Sequence, residues 1–102
     1  MNRIAILAVF VTGCAAHQLT PEAQQVRVIT PGVATTLNCK YLGMKIARGV
    51  AIEGGMSAAQ VKIRNRVADA GGNAMVVTDQ HLDYAGQYAH GNITVDAYKC
   101  PQ

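Results

Sequence analysis

Cys39-Lys40-Tyr41 is mirrored near the end of the chain by Tyr98-Lys99-Cys100, and these matching ends constrain the fold more than any other feature. A bridge between the two cysteines closes a loop of about 60 residues, which in the chain-entropy treatment stabilises a fold by about 4 kcal/mol. A reactive thiol pair sits close together, as in Cys-x-x-Cys, so this wide spacing favours a structural disulfide. If antiparallel strands pass through the two ends with Cys39 opposite Cys100, Tyr41 faces Tyr98, Leu42 faces Ala97, Met44 faces Val95 and Ile46 faces Ile93. The apolar pairs then share one face, and the cysteines and tyrosines share the other. A slip of one residue would set Met44 against Asp96.

The bridge needs an oxidising compartment, and the start of the chain predicts one. Arg3 gives a positive beginning, and Ile4–Val11 is an apolar run much shorter than the roughly 20 residues that span a bilayer. Val11-Thr12-Gly13-Cys14 follows, and resembles the lipobox of bacterial lipoproteins. That resemblance implies a signal peptide over residues 1–13, cleavage before Cys14, and acylation of Cys14 by diacylglyceryl and palmitate-type chains. Two or three such chains anchor a protein stably. Ala15, where inner-membrane retention uses Asp, points to the outer membrane with the domain facing the periplasm. With Cys14 lipidated, Cys39 and Cys100 remain as an even pair.

Length allows one small domain. The formal charge of +3 is too low for a nucleic-acid binder, and 15% charged with 50% apolar residues argues against disorder. Residues 14–24 read as a lipidated tether and 25–102 as the domain. Gln25–Ile29 predicts a short strand stopped by Pro31-Gly32, and Leu37–Ala47 a second strand with Gly43 as a bulge. Arg48–Gly55 reads as a loop. Ser57 and Gln60 have capping-box spacing at the start of a helix, with Ala59, Ile63, Val67 and Ala70 as its apolar stripe. Gly71-Gly72 ends it, and Gly71, with Gly72 as the other choice, is expected at positive φ. Asn73–Thr78 predicts a covered strand, Gln80–Gly91 a polar loop, and Asn92–Cys100 the last strand. The expected fold is α+β: a small mixed four-stranded sheet in ββαββ order, one helix on one face, stapled by the disulfide.

Glu53-Gly54-Gly55, Arg64-Asn65-x-Val67-Ala68, Gly71-Gly72-Asn73-Ala74 and Tyr98-Lys99-Cys100-Pro101, together with the lipobox, resemble the YjeI-type small bacterial lipoprotein family, a domain of unknown function. A weaker likeness is to the Rcs stress-sensor type of outer-membrane lipoprotein. The resemblance implies location and fold, and supplies no catalytic residue or cofactor.

Asp79, His81 and Asp83 alternate, and with His90 they have side chains able to bind a divalent metal, against their reading as solvated loop residues. Asn65 is unfavourable inside a helix by propensity, so it is expected to bond the Arg48–Gly55 loop or to contact a ligand. Tyr41 and Tyr98 are further binding candidates. Glu53–Ser57 lacks the Gly-Lys-Ser/Thr ending of a P-loop. No Ser-His-Asp order or carboxylate-pair motif predicts an enzyme. The function expected is a non-catalytic binding, sensing or structural module, held at the membrane by its lipid and meeting an envelope protein. The alternative is a small-ligand or divalent-metal-binding protein using the 79–90 segment.

Overall fold

A computed structural model describes residues 18–102; the expected signal peptide and Cys14 lie outside the described residues. The elements run α1 (Pro21–Gln24), β1 (Arg27–Val28), α2 (Pro31–Thr36), β2 (Lys40–Ala51), α3 (Gly55–Asp69), β3 (Ala74–Ala85) and β4 (Tyr88–Lys99). They build a four-stranded mixed sheet in the order β1-β3-β4-β2. β4 is antiparallel to both β2 and β3, and β1 pairs parallel with the start of β3. The α+β class, the strand directions and the central place of β4 agree with the sequence reading.

The disulfide joins Cys39 to Cys100 with an S–S distance of 2.07 Å. Beside it Tyr41 pairs with Tyr98, their ring centroids 5.5 Å apart. Past Tyr41 the expected register is corrected. A bulge between Tyr41 and Gly43 shifts β2 by one residue, so Met44 lies opposite Asp96, Ile46 opposite Thr94 and Ala47 opposite Ile93. Gly43 has φ +113°, a conformation that suits glycine at such a bulge.

The reason for the shift is the closeness of α3 to the sheet. A Cβ on Gly49 would stand 2.4 Å from the backbone nitrogen of Ala59, and one on Gly91 2.6 Å from Cα of Met56. Ala47 and Gly49 of β2 therefore face the helix, and the larger Met44 and Ile46 are turned to the other side. Hydrophobic alternation alone favours the opposite choice. The same closeness sets the start of α3. The expected capping box at Ser57 is not used: the N-cap is Gly54, at φ +77° and with no side-chain cap. A Cβ at Gly55 would meet the carbonyl oxygen of Ala89 at 2.4 Å, so a glycine must occupy the point of closest approach.

From there the stripe Gly55, Ala59, Ile63 and Val67 is buried at intervals of one helical turn. It packs on Ala47, Met75, Ile93, Val95 and Ala97, which form the core with Val26. Ala70, expected in the stripe, is the exposed C-cap residue. Gly71 takes the positive φ, +87°, and Gly72 does not.

Three further expectations are corrected. Residues 80–91 are no loop: β3 and β4 continue as a hairpin closed by Gly86-Gln87, with Gly86 at φ +64°. Polarity misleads here because solvent reaches both faces of this arm; Leu82 and Tyr84 lie beyond the reach of α3 and are exposed. Arg48–Ala51 continues β2 instead of starting a loop. Pro31-Gly32 does not simply stop a strand, since Thr30 accepts a hydrogen bond from the Val33 amide and caps α2 with Pro31 in its first turn.

Candidate functional site

The two faces of the sheet have unlike fates. β4 alternates along its length, with Ala89, Gly91, Ile93, Val95 and Ala97 buried under α3. His90, Asn92, Thr94, Asp96 and Tyr98 between them are half-exposed on the face opposite. Register carries that second face across the sheet in rows: Asp83, His90 and Val50; His81, Asn92 and Arg48; Asp79, Thr94 and Ile46. Asp96 sits beside Met44 in the next row.

The face is therefore striped. β3 contributes Asp79, His81 and Asp83, β4 contributes uncharged or weakly basic polar groups and Asp96, and β2 contributes Met44, Ile46 and Val50. These three apolar side chains and Tyr41 are each about half exposed, Ile46 at 52%. Arg48 donates from Nε to Oδ1 of Asn92 at 3.0 Å, fixing a cation within the apolar stripe. The Tyr41 hydroxyl donates to Oδ1 of Asp96 at 3.4 Å. Desolvation, followed by the Asp96 charge, holds the Tyr41 phenol above its ordinary pKa.

Asp79, His81 and Asp83 do come together. Nδ1 of His81 lies 3.1 Å from Oδ2 of Asp79, and Nε2 lies 3.5 Å from Oδ2 of Asp83. Both ring nitrogens are thus turned to carboxylates, and His90 stands across the ladder from Asp83. Among the described residues no group of three or more His, Cys, Asp or Glu is placed to hold a metal ion. The arrangement is a stripe of two carboxylates with the His81 ring between them.

Asn65 bonds neither the 48–55 segment nor an open cleft. Its Oδ1 accepts from the Thr20 amide at 3.1 Å and its Nδ2 donates to the Gln18 carbonyl at 3.2 Å. The amide side chain thus acts as a short piece of ladder on the outer side of α3. It clamps the segment expected as a free tether, which continues into α1 with Ala23 fully buried. The partner that a helix-interior Asn65 requires is thus the 18–20 segment and not the expected 48–55 one.

Asn73, noted in the sequence only as part of the Gly71-Gly72-Asn73-Ala74 motif, holds the disulfide end. Its Oδ1 accepts from the Cys100 amide at 2.7 Å and its Nδ2 donates to the Cys100 carbonyl at 2.9 Å. The Gly-Gly-Asn turn and the Tyr-Lys-Cys-Pro ending are therefore two sides of one structural joint. Its buried polar groups are fully satisfied, as a buried amide requires. Clefts of about 320 and 460 Å³ border this joint. Asn73 lines both but has its amide committed to Cys100.

The free edge of β2 is guarded from α3. Lys62 donates from Nζ to the Arg48 carbonyl at 3.0 Å, and Arg66 bonds the Ile46 carbonyl. Cations on an edge discourage another strand from pairing there, so the open face, not this edge, is the available surface. No family model, curated protein or solved structure matches the chain.

Proposed function

We propose that the chain is a lipid-anchored lipoprotein of a bacterial outer membrane, facing the periplasm, whose domain docks another envelope protein through the open face of its sheet. The observation that carries the docking is the stripe of Tyr41, Met44, Ile46 and Val50, half exposed and bordered by Asp79, Asp83 and Asp96. An exposed apolar stripe with Arg48 inside it and carboxylates on the neighbouring strands suits a protein partner. Charge complementarity makes that partner one with an apolar ridge flanked by Lys or Arg. The activity is binding, with sensing or structural consequences.

The anchor rests on the Arg3, Ile4–Val11 and Val11–Cys14 pattern, and the outer membrane on Ala15. The likeness of the Gly71–Ala74 and Tyr98–Pro101 segments to YjeI-type lipoproteins belongs to the same reading.

A photo-crosslinking residue placed at Ile46 of the full chain in living cells tests the docking. The expected product is a discrete adduct with one envelope protein, weakened when Asp79 and Asp83 are both changed to Lys and missing from the same probe at Gln60. No adduct at Ile46 beyond that at Gln60 removes the docking proposal. Incorporation of a labelled fatty acid, abolished in Cys14→Ser, tests the anchor separately.

A further inference from the structure

The outer side of α3 is where the chain leaves the described domain, and it is also the basic side of the molecule. Asn65 lies opposite the buried stripe of Ile63 and Val67 and holds Gln18 and Thr20 there. Gln18 is four Cα steps from Cys14, a reach of at most about 14 Å even when fully extended. If Cys14 carries the lipid, this short link lets the α3 layer come within a Debye length of the headgroups, about 8 Å at physiological salt. Its charge therefore acts on the bilayer.

That charge is positive. Lys45 of β2 shares this side through its register with Val95; the three cations of α3 are Lys62, Arg64 and Arg66, and the carboxylates set against these four are Glu22, Glu53 and Asp69. Each of the three cations bonds a backbone carbonyl, of Arg48, Val26 and Ile46 respectively, and among the described residues none meets a carboxylate. Their charge is held in place and is not neutralised. The carboxylates Asp79, Asp83 and Asp96 are on the opposite side, on the open sheet face with Arg48. The domain is a charge-segregated slab whose attachment point lies on its basic side.

We infer that the α3 layer, carrying Lys62, Arg64 and Arg66, lies against an anionic phospholipid surface, so that the open sheet face is presented away from the membrane. The inference rests on the lipid-anchor reading and adds to it an orientation and a lipid charge. Each cation near an anionic surface favours the bound orientation by about fivefold, and the carboxylate face is repelled. Without this orientation the apolar stripe would spend its time at the bilayer instead of at a partner.

The chain contains no Trp, so a single introduced Trp reports position without background. The acylated full chain, purified from membranes and reconstituted in vesicles containing phosphatidylglycerol and bromine-labelled lipid, is compared as Gln24→Trp and Ile46→Trp. Both positions are exposed, one in α1 on the α3 side and the other on the open face. Gln24→Trp is expected to be quenched at least threefold more than Ile46→Trp, with the contrast shrinking in 0.5 M salt, in purely zwitterionic vesicles, and when Lys62, Arg64 and Arg66 are all changed to Gln. The salt arm uses no variant that could misfold. Equal quenching at the two positions, or stronger quenching at Ile46→Trp, in a chain that still floats with the vesicles overturns the orientation and leaves the anchor intact. A chain that carries no acyl group and does not float overturns both.

Discussion

Adjacent residues of β4 show how differently the two faces of one sheet are used. Ile93, Val95 and Ala97 lie under α3 with at most 1% of their surface exposed, in a contact so close that glycines are needed at three points around it. Asn92 and Thr94, one step along the same backbone, lie on the side opposite α3 and are only partly buried. On β2 the covered side holds Ala47 and Gly49, and the open face carries Met44, Ile46 and Val50. That is the reverse of what stability alone would select, since burying Met44 or Ile46 would contribute about 2 kcal/mol each. The large apolar side chains of β2 have been left where they do least for the fold, and this inversion is the strongest structural reason to regard that face as a binding surface.

The contrast can be broken most severely at the joint that serves both faces. Reduction of the disulfide, or Cys39→Ser with Cys100→Ser, should lower unfolding free energy by about 4 kcal/mol in urea titrations, because a loop of about 60 residues is released. A loss under 1 kcal/mol would mean that Asn73 and the Tyr41–Tyr98 pair hold the end without the bridge.

Next is the glycine bed. Gly91→Val should cost about 3 kcal/mol or prevent folding, since the new Cβ would stand 2.6 Å from Cα of Met56. A tolerated Gly91→Val, with an unchanged urea midpoint, would show that α3 rides higher on the sheet than described.

Gly71→Val should destabilise by about 2 kcal/mol for another reason. There is open space around Gly71, and the cost comes from its φ of +87°. Gly71→Asn, which tolerates that conformation better, should recover part of the loss; equal losses in both would point to contacts instead of backbone strain.

Asn65→Ala should cost about 1 kcal/mol, the value of the hydrogen bonds it removes. Its local effect should be larger: amide exchange at Thr20 is expected to accelerate markedly while exchange in β4 stays near that of the parent. Uniform acceleration throughout the domain would make the clamp part of the global fold.

Much of this architecture is legible in the sequence. The mirrored Cys-Lys-Tyr ends fix the disulfide, the Tyr41–Tyr98 pair and the direction of β4, because each is local and chemically specific. The buried residues Ala59, Ile63 and Val67 follow from helical period, and Gly71 from its place after the helix. The register beyond Gly43 is not legible from hydrophobic alternation, because what decides it is the distance between α3 and the sheet. That distance is written in Gly49, Gly55 and Gly91, which lie far apart in the chain and mean little until the elements are assembled. The hairpin over 79–90 hides for a related reason: an arm wetted on both faces loses the two-residue period that marks a strand. At the candidate site, the alternation of Asp79, His81 and Asp83 is visible at once. Their neighbours Thr94, Asn92 and His90 come from strand pairing alone, so the striped face as a surface cannot be read from any one segment.

The sharpest test of the inverted use of the two faces is one matched pair. Ile93 and Ile46 lie on adjacent strands, the first 1% and the second 52% exposed, and they face opposite sides of the sheet. Urea denaturation of the parent, Ile93→Ala and Ile46→Ala should give a loss of about 3 kcal/mol for Ile93→Ala and about 0.5 kcal/mol or less for Ile46→Ala. Comparable losses for the two substitutions would mean that Ile46 is covered in the folded protein, and the open face would then belong to the core and not to a partner.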